Sequence, residues 1–193
     1  MKNFSVFTGL TGLLFILSFS LVNCSAHDED SEIIAEYTDE FFAAHARGCR
    51  DFFVFKHDDN YTTFLIVQGD TDQFLPDTSS TKIDIASAEA LQLYIDVYPV
   101  EDGTRSAGCF SYCNDVICGG SEHEFLSDYT RWNVLRGTLE LRRTEIDTTG
   151  FFDRYNVSLH IPEAVFVDEN DDSRKISVTD IVFADVNVGW LPG

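Results

Sequence analysis

Leu91-Gln92-Leu93-Tyr94-Ile95-Asp96-Val97-Tyr98 is the stretch that sets the fold class. Side chains of an extended strand point to alternate faces. Leu93, Ile95 and Val97 therefore share one face, and Tyr94, Asp96 and Tyr98 share the other. Pro99 and Glu101-Asp102-Gly103 end the run with turn residues. The same period of two returns downstream. Leu139 and Leu141 alternate with Thr138, Glu140 and Arg142; Tyr155, Val157, Leu159 and Ile161 alternate with Asn156, Ser158 and His160. A last strand-rich stretch runs from Lys175 to Trp190. Polar residues at every second position predict sheets with one buried and one wet face, which favours antiparallel pairing over a parallel sheet wrapped in helices. About seven to nine short strands separated by Asp, Gly, Asn and Ser turns predict an all-β, antiparallel immunoglobulin-like or jelly-roll β-sandwich.

Upstream, Asp51 to His57 and Tyr61 to Gly69 are dense in Phe, Val, Ile and Thr, and Asp58-Asp59-Asn60 separates them with turn chemistry. They read as a hairpin. Between Ser31 and Gly48 the period changes: Ile33, Ile34, Tyr37, Phe41, Phe42 and Ala44 recur at helical spacing, with Ser31 as cap and Gly48 as stop. A short helix leading into the domain is expected there.

The 193 residues suffice for one domain with a sizeable core, and 17 Phe, 7 Tyr and 2 Trp supply the bulk to fill it. Thirteen Lys and Arg against 33 Asp and Glu give a formal charge of −20. Such a surface repels phosphate backbones and anionic headgroups, so nucleic acid is a poor partner, while cations, basic proteins and neutral glycans remain open.

Residues 1–23 have the plan of a signal peptide: Lys2, then an uncharged apolar run from Phe4 to Val22. Leu21-Val22-Asn23-Cys24 resembles the lipobox of bacterial lipoproteins, whose cysteine becomes the lipidated first residue. That resemblance implies a lipid anchor on Cys24 at an outer membrane or cell surface. An ordinary cut after Ala26 is the alternative, and would give a freely secreted protein. Ser25 to Glu32 is acidic and resembles the surface-export signals that follow the lipidated cysteine in some bacterial groups. The expected organisation is a signal peptide at 1–23, an acidic tether at 24–32 and a single disulfide-bonded domain at 33–193.

Four cysteines remain in that domain: Cys49, Cys109, Cys113 and Cys118. In an oxidising compartment they are expected as two disulfides. Three pairings exist, and Cys49 with Cys109 plus Cys113 with Cys118 is favoured because the second pair closes a small loop around Asn114-Asp115. A zinc site from Cys109, Cys113, Cys118 and His123 is the competing use, at a spacing loose for that metal.

Asp168, Asn170 and Asp172 place oxygens at alternate positions, as calcium loops do, although Ser173 stands where such a loop carries glycine. A hairpin tip accounts for the same residues, so no cofactor is required and calcium is the one to test. Trp132, Trp190, Tyr112 and Tyr129 are candidates for an aromatic platform that binds sugar rings. The sequons Asn60-Tyr61-Thr62 and Asn156-Val157-Ser158 would be glycosylated in a eukaryotic secretory pathway. No Gly-x-Ser-x-Gly turn is present. Thirty-three carboxylates are too many for spacing to single out a glycosidase pair. The reading is a lipoprotein with a non-catalytic binding or structural domain; the alternatives are a secreted glycan-acting hydrolase and a secreted eukaryotic glycoprotein.

Overall fold

The computed structural model describes residues 32–42, 45–49, 51–70, 80–99, 113, 129–149 and 154–189. The expected signal peptide, Cys24 and the tether up to Ser31 lie outside them. The described chain is all-β. Its strands are β1 (Glu32–Thr38), β2 (Arg47–Cys49), β3 (Phe52–His57), β4 (Thr63–Gly69), β5 (Thr81–Asp84), β6 (Leu91–Val97), β7 (Thr130–Asp147), β8 (Arg154–Asp168) and β9 (Asp171–Gly189), with one 3-10 turn at Ile85–Ser87. They form one continuous sheet in the order β1-β9-β8-β7-β6-β4-β3-β2, and β5 pairs with β7 beyond the end of β6. All pairings are antiparallel except that of β1 with β9.

The sheet curls until its ends meet. A Cβ on Gly48 of β2 would lie 2.5 Å from the Asn187 carbonyl oxygen and 2.6 Å from Val186 Cγ1 of β9, so a side chain there would hold the two strands apart. On β3, Lys56 is 5 % exposed. Its Nζ donates to Asp39, in the turn after β1, and to the Val182 carbonyl of β9 at 3.1 Å. Val54, Leu65, Leu93 and Ile95 from one half of the curl thereby share a core with Leu159, Ile181, Phe183, Val186 and Val188 from the other. Each such side chain contributes about 1.5–3 kcal/mol through burial.

The expected helix over 31–48 is corrected. Ile33, Ile34 and Tyr37 lie on β1, an edge strand in parallel register with Arg174–Thr179 of β9. Phe41 and Phe42 belong to the turn that follows, where Tyr37 stacks on Phe41 at 4.1 Å and Phe42 meets both rings edge-on. Tyr37 and Phe42 reach the inner core while Ile33 and Ile34 stay exposed, so the helix-like spacing comes from a strand joined to a turn and not from one continuous face; Ala44 lies outside the described residues. The β3–β4 hairpin forms as expected. Asp58 closes it by accepting from the Thr62 and Thr63 amides at 2.7 and 2.9 Å and from the Thr62 hydroxyl at 2.8 Å.

The alternation of β6 also holds, with one difference. The face expected to be wet is buried: Tyr94, Asp96 and Tyr98 are 7 %, 1 % and 2 % exposed. With Cys49, Phe53, Phe55, Phe64 and Ile66, the two tyrosines make a second apolar cluster on the outside of the curl.

Candidate functional site

The outer face of β4, β6 and β7 holds a connected row of polar groups, and sheet register determines who meets whom. Gln68 lies opposite Gln92, and Asp96 opposite Arg131. Tyr94, opposite Ile66, reaches diagonally to Gln68 and donates its hydroxyl to Oε1 at 2.8 Å. Gln68 Nε2 in turn donates to Gln92 Oε1 at 3.1 Å. At the other end the Arg131 guanidinium lies 4.1 Å from the Tyr94 ring centroid and 5.2 Å from that of Tyr129, while Nε and Nη2 grip the Asp96 carboxylate at 2.8 and 2.9 Å. Burial is the main cause that pushes the Tyr94 hydroxyl up to about 12, with Arg131 opposing it. Tyr94 therefore stays a neutral donor. The hydrogen bond it donates to Asp96 raises Arg131 further above its already high range.

Where this row reaches the ends of β3, β4 and β6 the surface opens into a groove of about 400 Å³. Gln68, Gln92, Asp51, Asp70 and Glu89 line it, and Phe52 and Phe53 at its edge are buried, 2 % and 7 % exposed. The volume is within the range of small-ligand sites.

No protein-family model, no curated protein and no solved structure matches this chain. Function has to be argued from the geometry.

Of the expected aromatic platform, the two described members lie apart. Trp132 is 3 % exposed in the inner core, whereas Tyr129 packs on the outer cluster, so the two lie on opposite faces of the sheet. Tyr112 and Trp190 lie outside the described residues. The acidic loop is the β8–β9 hairpin tip. There Asp168, 4 % exposed, takes Arg174 Nη1 at 2.8 Å and the Asn170 amide at 2.9 Å. Asp171 accepts from the Ser173 hydroxyl and amide, which holds its carboxyl below the usual range. Asn170 and Asp172 are exposed beside it. Among the described residues no group of three His, Cys, Asp or Glu side chains converges to hold a metal ion.

The favoured cysteine pairing is corrected. Cys49 bonds Cys113, with Cα atoms 5.7 Å apart, and not Cys109. Cys49 ends β2 facing the outer cluster, and Cys113 packs against that same cluster. The bond also removes Cys113 from the expected zinc set; Cys109, Cys118 and His123 lie outside the described residues.

Two histidines acquire surroundings that spacing alone did not reveal. His160 stands between carboxylates of neighbouring strands, with Nε2 2.8 Å from Asp180 and Nδ1 3.4 Å from Glu140. The bond to Asp180 chiefly raises its pKa. His57, 4 % exposed, stacks on Tyr61 at 4.1 Å. Its Nδ1 lies 2.8 Å from the Asp58 carbonyl, and its buried Nε2 has no hydrogen-bond partner among the described residues. The Gln68–Gln92 pair went unseen because two isolated glutamines carry no signal until register sets them side by side.

Proposed function

We propose that the chain is exported, carries lipid on Cys24 at an outer membrane or cell surface, and presents a non-catalytic binding domain whose site is the groove at the ends of β3, β4 and β6. The observation that carries the binding reading is that groove, in which amides and carboxylates share one opening. Export draws support from the Cys49–Cys113 disulfide, since such bonds persist in oxidising compartments. The curl sets β3, β4 and β6 across a common core from β8 and β9, which supports a two-layered, sandwich-like description of the domain.

Mass spectrometry of the mature N-terminus tests the anchor. A diacyl or triacyl adduct on Cys24 is the expected result, and an unmodified terminus just after Ala26 would replace this reading with free secretion. Incubation with polysaccharide tests the non-catalytic assignment. Full recovery of the polymer is expected, and release of new reducing ends would favour the hydrolase.

A further inference from the structure

We infer that the groove takes a neutral polyhydroxylated ligand, a segment of uncharged sugar, held between the Gln68–Gln92 amide pair and the carboxylate of Glu89. This deepens the binding reading above and rests on it.

The direction of the hydrogen-bond chain decides the chemistry. Tyr94 donates to Gln68, and Gln68 donates to Gln92. Both amide oxygens thus have an internal donor, and the chain terminates in the groove on the Gln92 NH₂ group, which enters neither bond. A carboxamide nitrogen carries two donor hydrogens, so Gln92 offers donors to a ligand. The same opening holds the exposed Glu89, whose carboxylate accepts hydrogen bonds, with Asp70 and Asp51 adding negative charge to the lining. An anionic ligand would meet three carboxylates and a chain of formal charge −20. A cationic ligand would leave the amide donors unmatched. A sugar hydroxyl both donates and accepts, so a pair of neighbouring hydroxyls can satisfy a carboxylate and an amide at once. Tyr94 and Gln68 fix the orientation of Gln92 from behind, which lowers the ordering cost of binding.

The chain has glutamine at positions 68, 73 and 92 only, so glutamine-selective ¹⁵N labelling of the oxidised full domain isolates the side-chain amides in question. Titration with millimolar cellohexaose, maltohexaose and mannohexaose, and with oligogalacturonate as the charged comparison, is expected to shift the Gln68 and Gln92 amides with a neutral probe and not with the charged one. Gln92→Ala and Glu89→Ala should each weaken that binding by roughly fivefold, the effect of one net hydrogen bond. Their thermal midpoints should match the parent, since both residues are exposed. Sugar-induced shifts confined to backbone signals elsewhere, with affinity untouched by both substitutions, would overturn the site while leaving a binding domain. Shifts with the charged oligosaccharide alone would overturn the ligand class. Silence of both amides with every neutral probe would overturn the inference itself.

Discussion

Asp96 and Arg131 form a two-pronged ion pair on the outer face of the sheet, with the carboxylate buried and the guanidinium partly exposed. The carboxylate residue is 1 % exposed, and both of its oxygens are met by guanidinium nitrogens at 2.8 and 2.9 Å. Breaking a buried pair from one side leaves a desolvated charge behind, at a cost of about 3–5 kcal/mol. Arg131 is partly exposed, so Arg131→Met should fall toward the lower end of that range in urea denaturation. Arg131→Lys should recover only part of the loss, because an ammonium cannot grip both oxygens in one plane. Full recovery by lysine would show that charge alone, and not the fork, holds Asp96.

The same pair marks where the sequence stops being informative. The period of β6 identifies its two faces, and the inner assignments of Leu93, Ile95, Leu139, Leu141, Val157 and Leu159 all hold. What alternation cannot carry is whether the polar face is covered. Tyr94, Asp96 and Tyr98 look wet one by one; Arg131 lying over Tyr94, and Tyr98 packing edge-on against Phe64, make that face interior. β1 shows the complementary limit. Its alternation is confined to its second half, where Ala35 and Tyr37 pack on the core and Glu36 and Thr38 are exposed; Ile33 and Ile34 are adjacent and both exposed, so the pairing with β9 is what identifies the strand. The groove is less legible still, because it combines residues from three strand ends.

Closure of the curl should be asymmetric toward mutation. Lys56 is buried, whereas the Asp39 side chain is 43 % exposed. Asp39→Ala would strip the carboxylate from a buried ammonium and leave it the Val182 carbonyl, so a loss of about 1–3 kcal/mol is expected after allowing for Asp39's exposure. Lys56→Met keeps the volume and removes the charge, and should cost less than Asp39→Ala. Chemical denaturation of the two single variants decides the order, and the reverse order would mean that the ammonium has other support.

His57 buries a nitrogen that has no hydrogen-bond partner among the described residues. An unsatisfied buried polar atom costs about 1–3 kcal/mol, against about 1 kcal/mol for the bond its Nδ1 makes to the Asp58 carbonyl. His57→Phe keeps a ring in the stack with Tyr61 and Phe64. The expected outcome is a thermal midpoint unchanged or raised by about 2–4 °C. A drop of several degrees would show that the imidazole meets a requirement a phenyl ring cannot.

His160 should make a small part of the stability depend on pH. Its folded pKa lies above the unfolded value, principally through the bond to Asp180. Protonated, it binds both Asp180 and Glu140, so its contribution is complete below the unfolded value of about 6.5 and fades as pH rises through the folded pKa. The side chain is 36 % exposed, so the effect should stay in the surface-pair range of about 0.2–1 kcal/mol and shrink with added salt. Denaturation of the parent and His160→Gln at pH 5.5 and 8.5 measures it. A larger gap between the two proteins at pH 8.5 than at pH 5.5 would contradict the sign.

The disulfide selects among cysteine connectivities as well as stabilising the fold. Once Cys49 is joined to Cys113, the remaining domain cysteines are Cys109 and Cys118, so the three pairings reduce to one. Non-reducing peptide mapping should recover a Cys49–Cys113 peptide together with a Cys109–Cys118 peptide. The bond between Cys49 and Cys113 spans 64 positions, and closing a loop of that length in the unfolded chain corresponds to about 4 kcal/mol on the chain-entropy model. Cys49 is buried against Phe53 and Phe55, so Cys49→Ala also loses packing at the outer cluster and should destabilise more than Cys113→Ala, whose residue is only partly buried. Equal midpoints for the two variants would assign the whole effect to loop closure. A midpoint unmoved by complete reduction would show that the outer cluster holds without its covalent tie.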